Sequence, residues 1–329
     1  MNIHYGFAPD PSRARQLDRF MHVKLGESLR HLSEECAAVI PHDASRLAVL
    51  ADSLDRGERQ SPAVFAHYYR LLNAVLAEEY AEAEQAFDAL ARLERPNPEL
   101  RIEPLAEQQL GVNYPLYMGM MNADPTLDLG FCGPAVTVYE PFKRRLQESF
   151  DMLRAAVPDL AGEIEAIIHE VVIVAGDKSK KFQFDGGSHF QLWGALFLNG
   201  DFHKDQIAMV EVLAHESAHS LLFGFCTEEF LVDNPDDELF SSPLRPDPRP
   251  MDGIYHATFV SARMHWALDQ LLRSGVLDDS GRERAIVANV ANVANFRSGY
   301  SVVAEHGRLT GLGRQLMSGA TEYMAGVSQ

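Results

Sequence analysis

Cysteine is scarce in this 329-residue chain. Only Cys36, Cys132 and Cys226 occur, odd in number and far apart. They therefore indicate neither a disulfide framework nor a Cys-x-x-Cys metal site. Buried free thiols in a reducing compartment are the expected state.

Long apolar runs are also missing. No uninterrupted stretch approaches the roughly 20 apolar residues that a membrane span requires. The N-terminal segment, MNIHYGFAPDPSRARQL, has no apolar core of the kind found in signal peptides. Both absences predict a soluble, cytoplasmic protein with no membrane partner.

Basic residues are outnumbered by acidic ones. The chain has 29 Lys and Arg against 47 Asp and Glu, a formal charge of −18. Nucleic acids and anionic membranes are bound by basic surfaces, so this composition argues against both as partners. A basic peptide substrate is compatible with it.

Helical periodicity dominates what is present, and it predicts a mostly α fold with a small β-sheet (α+β). A first helix is expected to open at Ser12, and Ser61 is the expected N-cap of another, with Pro62 at its first position. Further helices are predicted at residues 141–157, 203–223 and 251–274 and at the C-terminus. The expected cap of the helix at 203–223 is Asp201 or Asp205, with Gly224 as its stop.

Three short β-rich runs form the only clear strand signal. They are VVIVAG (171–176), KFQFDGG (181–187) and HFQLWGALFLN (189–199). The first two are predicted to pair as a hairpin around residues 177–180. The breaker ERPNPEL at 94–100 predicts a boundary between an N-terminal helical region, 1–100, and a HExxH metal-binding catalytic region, 101–329, with one continuous domain as the alternative.

The segment VEVLAHESAHSLLFG contains His-Glu-x-x-His: His215, Glu216 and His219. Two histidines four residues apart lie on one face of a helix, one turn apart, and can bind one metal ion. Glu216 points about 100° around the helix and can hold water or substrate instead of the metal. Glu211, four residues before His215, could orient its imidazole.

A metal site needs at least a third protein ligand. Leu222 and Phe225 stand where a metzincin has glycine and histidine, so that class is excluded. Glutamates suitable for a gluzincin follow the helix too closely or lie in a proline-rich loop. His256, 37 residues past His219 and in the first turns of the next helix, is the stronger candidate, and His265 is the weaker one.

The motif and its downstream segment, SSPLRPDPRPMDGIYHATFVSARM, resemble the HExxH-motif proteins of gene clusters for ribosomally made, post-translationally modified peptides. The family's loop ends in Asp-Pro-Arg-Pro, which is 247–250 here, and its next helix carries Gly253 and His256 at this spacing. Arg245 matches a further family arginine. SHFQLWGALFLN resembles the segment before the motif helix, and the resemblance covers about residues 185–270.

The resemblance implies an Fe(II)- and 2-oxoglutarate-dependent hydroxylase acting on a side chain of a precursor peptide. His215, His219 and His256 would bind iron, although a carboxylate in place of one histidine stays open. Arg249 or Arg245 would clamp the distal carboxylate of 2-oxoglutarate with its planar fork.

Ser188 and Trp193 both precede the motif helix and have different expected roles. Ser188 would line the co-substrate pocket. Trp193 is expected to pack in the core.

Two other functions fit the residues. In a zinc metallopeptidase, Glu216 would activate water for attack on an amide. In a non-catalytic metal-bound or recognition protein, the N-terminal helices would grip a peptide.

Overall fold

The computed structural model describes residues 4–93, 99–122, 130–177, 179–180, 184–244 and 247–327. It confirms a mostly α fold with a small mixed β-sheet. The chain divides into two compact units, one of residues 15–139 and 166–201 and the other of residues 4–14, 140–165 and 202–327. Most of the predicted break at 94–100 lies outside the described residues, and the predicted boundary at residue 100 stays a prediction.

The first unit begins with a run of helices. They are α1 (Pro11–Cys36, whose first residues belong to the second unit), α2 (Ala44–Asp55), α3 (Ala63–Leu76), α4 (Tyr80–Arg92), α5 (Glu107–Leu110) and α6 (Tyr114–Met121). α1 opens at Pro11, one residue before the predicted Ser12. α3 starts at Ala63 and not at Pro62, and Ser61 Oγ accepts a long 3.4 Å bond from the Ala63 N–H.

A four-stranded sheet completes the first unit. Its strands are β1 (Arg101–Pro104), β2 (Glu170–Val174), β3 (Gly186–Ser188) and β4 (Ala195–Asn199), in the order β1-β2-β4-β3. β2 is parallel to β1 and β4, and β3 is antiparallel to β4. Every residue of β2 and β4 is buried, as expected of central strands covered on both faces.

The predicted hairpin between residues 171–176 and 181–187 is wrong. β4 occupies the edge of β2 that β3 would have taken, with Val172 opposite Phe197. Residues 181–183 of the second predicted strand lie outside the described residues. β4 is shorter than predicted, because residues 190–192 form a 3₁₀ turn.

The second unit is built from helices and one two-stranded ribbon. They are α7 (Val136–Ala156, whose first four residues belong to the first unit), α8 (Pro158–Ile167, whose last two residues belong to the first unit), α9 (Gln206–Phe225), α10 (Met251–Ser274), α11 (Asp279–His306), α12 (Gly311–Ala325), β5 (Leu239–Phe240) and β6 (Arg249–Pro250). α10 packs against α9, α11 and α12. No helix in the described ranges is both long and apolar enough to cross a membrane.

Local signals fix the ends of α9 and α10. The Asp205 carboxylate caps α9 by accepting bonds from the N–H groups of Ile207 and Ala208, as predicted. The predicted stop at Gly224 is wrong by two residues, since α9 continues through Phe225 and its C-cap is Cys226. α10 spans the predicted 251–274 and ends at Gly275, whose φ of +74° suits glycine.

A buried ion cluster stabilises the second unit. Glu163 of α8 accepts bonds from the guanidinium groups of Arg13 and Arg263. The same arginines donate to the carbonyl oxygens of Ala8 and Phe7. The cluster therefore ties the N-terminal segment to α8 and α10.

Candidate metal centre

α9 leaves one stripe of side chains partly exposed. From residue 209 to the end of the helix, Glu211, His215, His219 and Phe223 are half-buried, and every residue between them is buried. The four stand at intervals of four residues and so lie on one helix face. The His-Glu-x-x-His histidines are thus on the accessible line of an otherwise buried helix.

α10 brings His256 to this stripe. The Nε2 atoms of His215 and His219 are 3.1 Å apart, and the Nδ1 atoms of His219 and His256 are 2.9 Å apart. The rings of His219 and His256 stack with centroids 5.2 Å apart. The three histidines predicted as ligands therefore lie together on two packed helices.

His219 contacts its two neighbours with different ring nitrogens. Adjacent ligands about 2.0–2.1 Å from one ion lie roughly 2.9–3.4 Å apart, so the separation of 3.1 Å between the His215 and His219 Nε2 atoms fits a shared ion. His256 meets the Nδ1 side of His219. Binding of the same ion by His256 therefore requires rotation of a side chain.

Burial favours the neutral, metal-binding form of two of these rings, those of His219 and His256. Desolvation, followed by the charges of His215 and His256, holds the pKa of His219 well below its usual 6.5. Desolvation also lowers the pKa of His256, and the charge of Asp252 opposes it. A neutral imidazole has a lone pair to donate, so both rings suit coordination near neutral pH.

Two carboxylates flank the histidines. Glu216 is 4% exposed, and its Oε1 lies 3.8 Å from Nε2 of His215. Asp252 Oδ2 lies 4.0 Å from Nε2 of His256. Asp252 was not predicted from the sequence, although its position four residues before His256 places it on the same face of α10.

Two further sequence candidates have other contacts. Glu211 accepts a 2.7 Å bond from the Asn292 side chain of α11, and burial raises the pKa of its carboxyl. His265 Nδ1 is 2.8 Å from the hydroxyl of Tyr323. His265 of α10 therefore packs against α12. His256 is the α10 histidine that lies beside the motif.

The structure describes only some of the residues predicted to bind the anionic co-substrate. Arg249 lies on β6, just before α10, and pairs with Asp247 at 2.8 Å. Its Nε is buried and has no hydrogen-bond partner in the described part of the chain. Arg245 lies outside the described residues. Ser188 belongs to β3 of the first unit.

A second group with metal-ligand character lies in the first unit. Asp18 and His22 of α1 and His169, just before β2, are all buried, and their ligand atoms lie within 4.8 Å of one another. This triad could hold a metal ion. This triad was not predicted from the sequence, because His169 is about 150 residues from the other two.

Hydrogen bonds already occupy the nitrogens of this triad. His169 faces the Gln60 carbonyl with Nδ1 and Asp18 Oδ1 with Nε2, each at 2.9 Å. Both partners are hydrogen-bond acceptors. His22 Nδ1 faces the Asp18 carbonyl, and its Nε2 accepts from the Gln60 N–H. Metal binding here would displace these bonds.

Trp193 belongs to the same network. Its side chain is 1% exposed, and its Nε1–H donates a 2.9 Å bond to Asp18 Oδ1. The predicted core role of Trp193 is confirmed.

Comparisons with known proteins add no family. No protein-family model matches the chain, and a search of curated proteins finds no match.

Proposed function

We propose that this protein is a non-haem Fe(II)- and 2-oxoglutarate-dependent hydroxylase that modifies a side chain of a ribosomally made precursor peptide. The observation that carries the proposal is the meeting of His215, His219 and His256. His215 and His219 stand on the half-buried stripe of α9, and the buried His256 of α10 lies against His219. The resemblance of residues 185–270 to the HExxH peptide-modifying family supplies the reaction class.

The donor set suits iron. Imidazole nitrogens with open positions beside them are typical of non-haem Fe(II) sites that also admit a chelating co-substrate. His215 and His219 would hold the ion through Nε2, and His256 would complete the set. When bound, iron and 2-oxoglutarate supply the oxidising chemistry, in which dioxygen gives one oxygen atom to succinate and one to the peptide.

Arg249 is proposed to bind the distal carboxylate of 2-oxoglutarate. A guanidinium fork forms two parallel bonds to a carboxylate. The buried Nε of Arg249 has no acceptor among the described residues, so a further carboxylate would satisfy a donor that the fold leaves unpaired. Arg245 stays an alternative from the sequence, and Ser188 a proposed lining residue.

Glu216 is proposed to position the peptide or a metal ligand. Its carboxylate is buried and lies next to the metal-binding nitrogen of His215. A buried carboxylate is a strong acceptor for peptide N–H groups. In this reaction it has no proton to abstract.

The same placement of Glu216 favours one second candidate, a zinc metallopeptidase. A carboxylate 3.8 Å from a ligand nitrogen stands where a general base for water would stand. His256 in place of the usual third ligand weighs against it.

Incubation with the precursor peptide of the same gene cluster separates the two. The full chain is loaded with Fe(II) and incubated with 2-oxoglutarate and air, and the peptide is analysed by mass spectrometry. The expected result is a gain of one oxygen that requires both iron and 2-oxoglutarate. Backbone cleavage that Zn(II) supports without 2-oxoglutarate would establish the peptidase, and an unchanged peptide with no succinate released would refute both.

A further inference from the structure

The second unit contains a cavity of about 600 Å³ lined by α7, the start of α9 and the segment entering α11. Four basic residues line it: Arg144, Arg145, Lys204 and Arg284. The chain as a whole carries a charge of −18. Evenly dispersed surface charge would not place four basic residues around one cavity in so acidic a protein.

Two neighbouring arginines of α7, Arg144 and Arg145, have no acidic partner among the described residues. Neither side chain has a hydrogen bond or a carboxylate within salt-bridge distance in that part of the chain. Arg145 is held against the ring of Phe142, with its guanidinium carbon 5.5 Å from the ring centroid, and its Nε is buried without an acceptor. A buried donor without an acceptor costs stability that a bound anion would restore.

Most of the acids that line the cavity are committed to other groups. Asp205 caps α9 and lies 3.7 Å from Nε of Arg284, which also donates to Ser280. Asp278 caps α11 by accepting from the Gly281 N–H. Glu148 is exposed and lies beyond salt-bridge distance of both Arg144 and Arg145. None of these acids therefore neutralises the guanidinium group of Arg144 or Arg145.

We infer that this cavity binds a small dianion, a phosphate or a dicarboxylate, through Arg144 and Arg145. A guanidinium group matches either anion with two parallel hydrogen bonds. The cavity volume is typical of small-molecule sites. Gln206, which lines the cavity, is nine residues before His215, a rise of about 14 Å along α9, so this site is separate from the candidate metal centre.

Isothermal titration calorimetry of the full chain, in a buffer without multivalent anions, tests the inference. The probes are inorganic phosphate, pyrophosphate and succinate. Saturable binding of at least one probe, one per chain, is expected. Arg144→Gln and Arg145→Gln are each expected to weaken it about tenfold or more, because each removes a charge-assisted bond. Arg145→Lys keeps the charge but loses the fork, so it is expected to weaken binding less.

Arg297→Gln is the matched control. Arg297 is an exposed residue of α11 outside the cavity lining, and its removal changes the net charge by the same amount. Absence of saturable binding of all three probes would overturn the inference, as would an equal loss in the control. Preference for phosphates or for succinate identifies the anion, and neither metal nor peptide is needed. Because Arg144 is exposed, its variant is expected to fold, and circular dichroism checks this.

Discussion

Nδ1 of His256 lies 2.9 Å from Nδ1 of His219, although 37 residues separate them in sequence. The approach results from the packing of α10 against α9. It turns a pair of histidines, which any helix could carry, into a cluster of three.

Replacement of His256 by alanine tests its role as a ligand. The His256→Ala variant is expected to lose most of its bound metal and its activity, because two imidazoles alone hold an ion weakly. Metal analysis by mass spectrometry measures the loss. His265→Ala, on the same helix but bonded to Tyr323, is the control and should keep the metal. Full occupancy in His256→Ala would remove His256 from the site.

Two variants, Asp18→Asn and His215→Ala, show which of the two histidine clusters holds the metal. We expect this variant to keep its metal, since hydrogen bonds already occupy the ring nitrogens of His22 and His169. His215→Ala should lose the metal. Metal-to-protein ratios of the two variants decide the matter, and the reverse pattern would assign the ion to the Asp18 cluster.

Arg249→Lys should chiefly raise the requirement for 2-oxoglutarate. Lysine keeps the charge but cannot form the two parallel bonds of a guanidinium, so the half-saturating concentration is expected to rise about tenfold. Arg273→Lys is the control, because Arg273 also pairs with an aspartate, Asp269, at 2.8 Å. An unchanged requirement in Arg249→Lys would move the clamp to another residue.

Glu216→Gln distinguishes the two proposed enzymes. In the hydroxylase Glu216 only positions its partners, so the variant should keep its metal and still release succinate, with less of it coupled to peptide oxidation. In a peptidase the glutamine cannot accept a proton from water, and turnover should almost stop. Succinate release and peptide mass are measured together. No succinate at wild-type iron content would contradict the positioning role.

Asp18 should contribute to acid stability. Burial alone would raise its pKa, but the charges of His169 and His22 and the bonds from His169 and Trp193 lower it from 3.8 to about 2. A lowered pKa in the folded state gives a stabilisation of roughly 2 kcal/mol that is complete above about pH 4 and is lost as the pH falls towards 2. Urea unfolding from pH 5 to 2.5 should show Asp18→Asn converging on the wild type. A difference in unfolding free energy that does not change with pH would refute this.

Local sequence signals predicted some helix ends correctly. The bounds of α10, residues 251–274, and the Asp205 cap of α9 are confirmed, because capping and apolar periodicity act within a few residues. β1 was missed, since Arg101 and Glu103 give its four residues little apolar character. The hairpin prediction was wrong because strand order depends on competition between distant segments. β4 pairs with the edge of β2 that the hairpin would have used.

The sequence alone determined the fold class, the limits of α10 and the placement of His215, Glu216 and His219 on one helix, because all of these depend on neighbours in the chain. Tertiary structure decided which distant residues join them. It brought His256 and Asp252 to the motif, joined His169 to Asp18 and, among the described residues, left Arg144 and Arg145 without acidic partners. Helix packing and buried hydrogen bonds select these contacts across gaps of many residues, where spacing in the sequence carries no distance information.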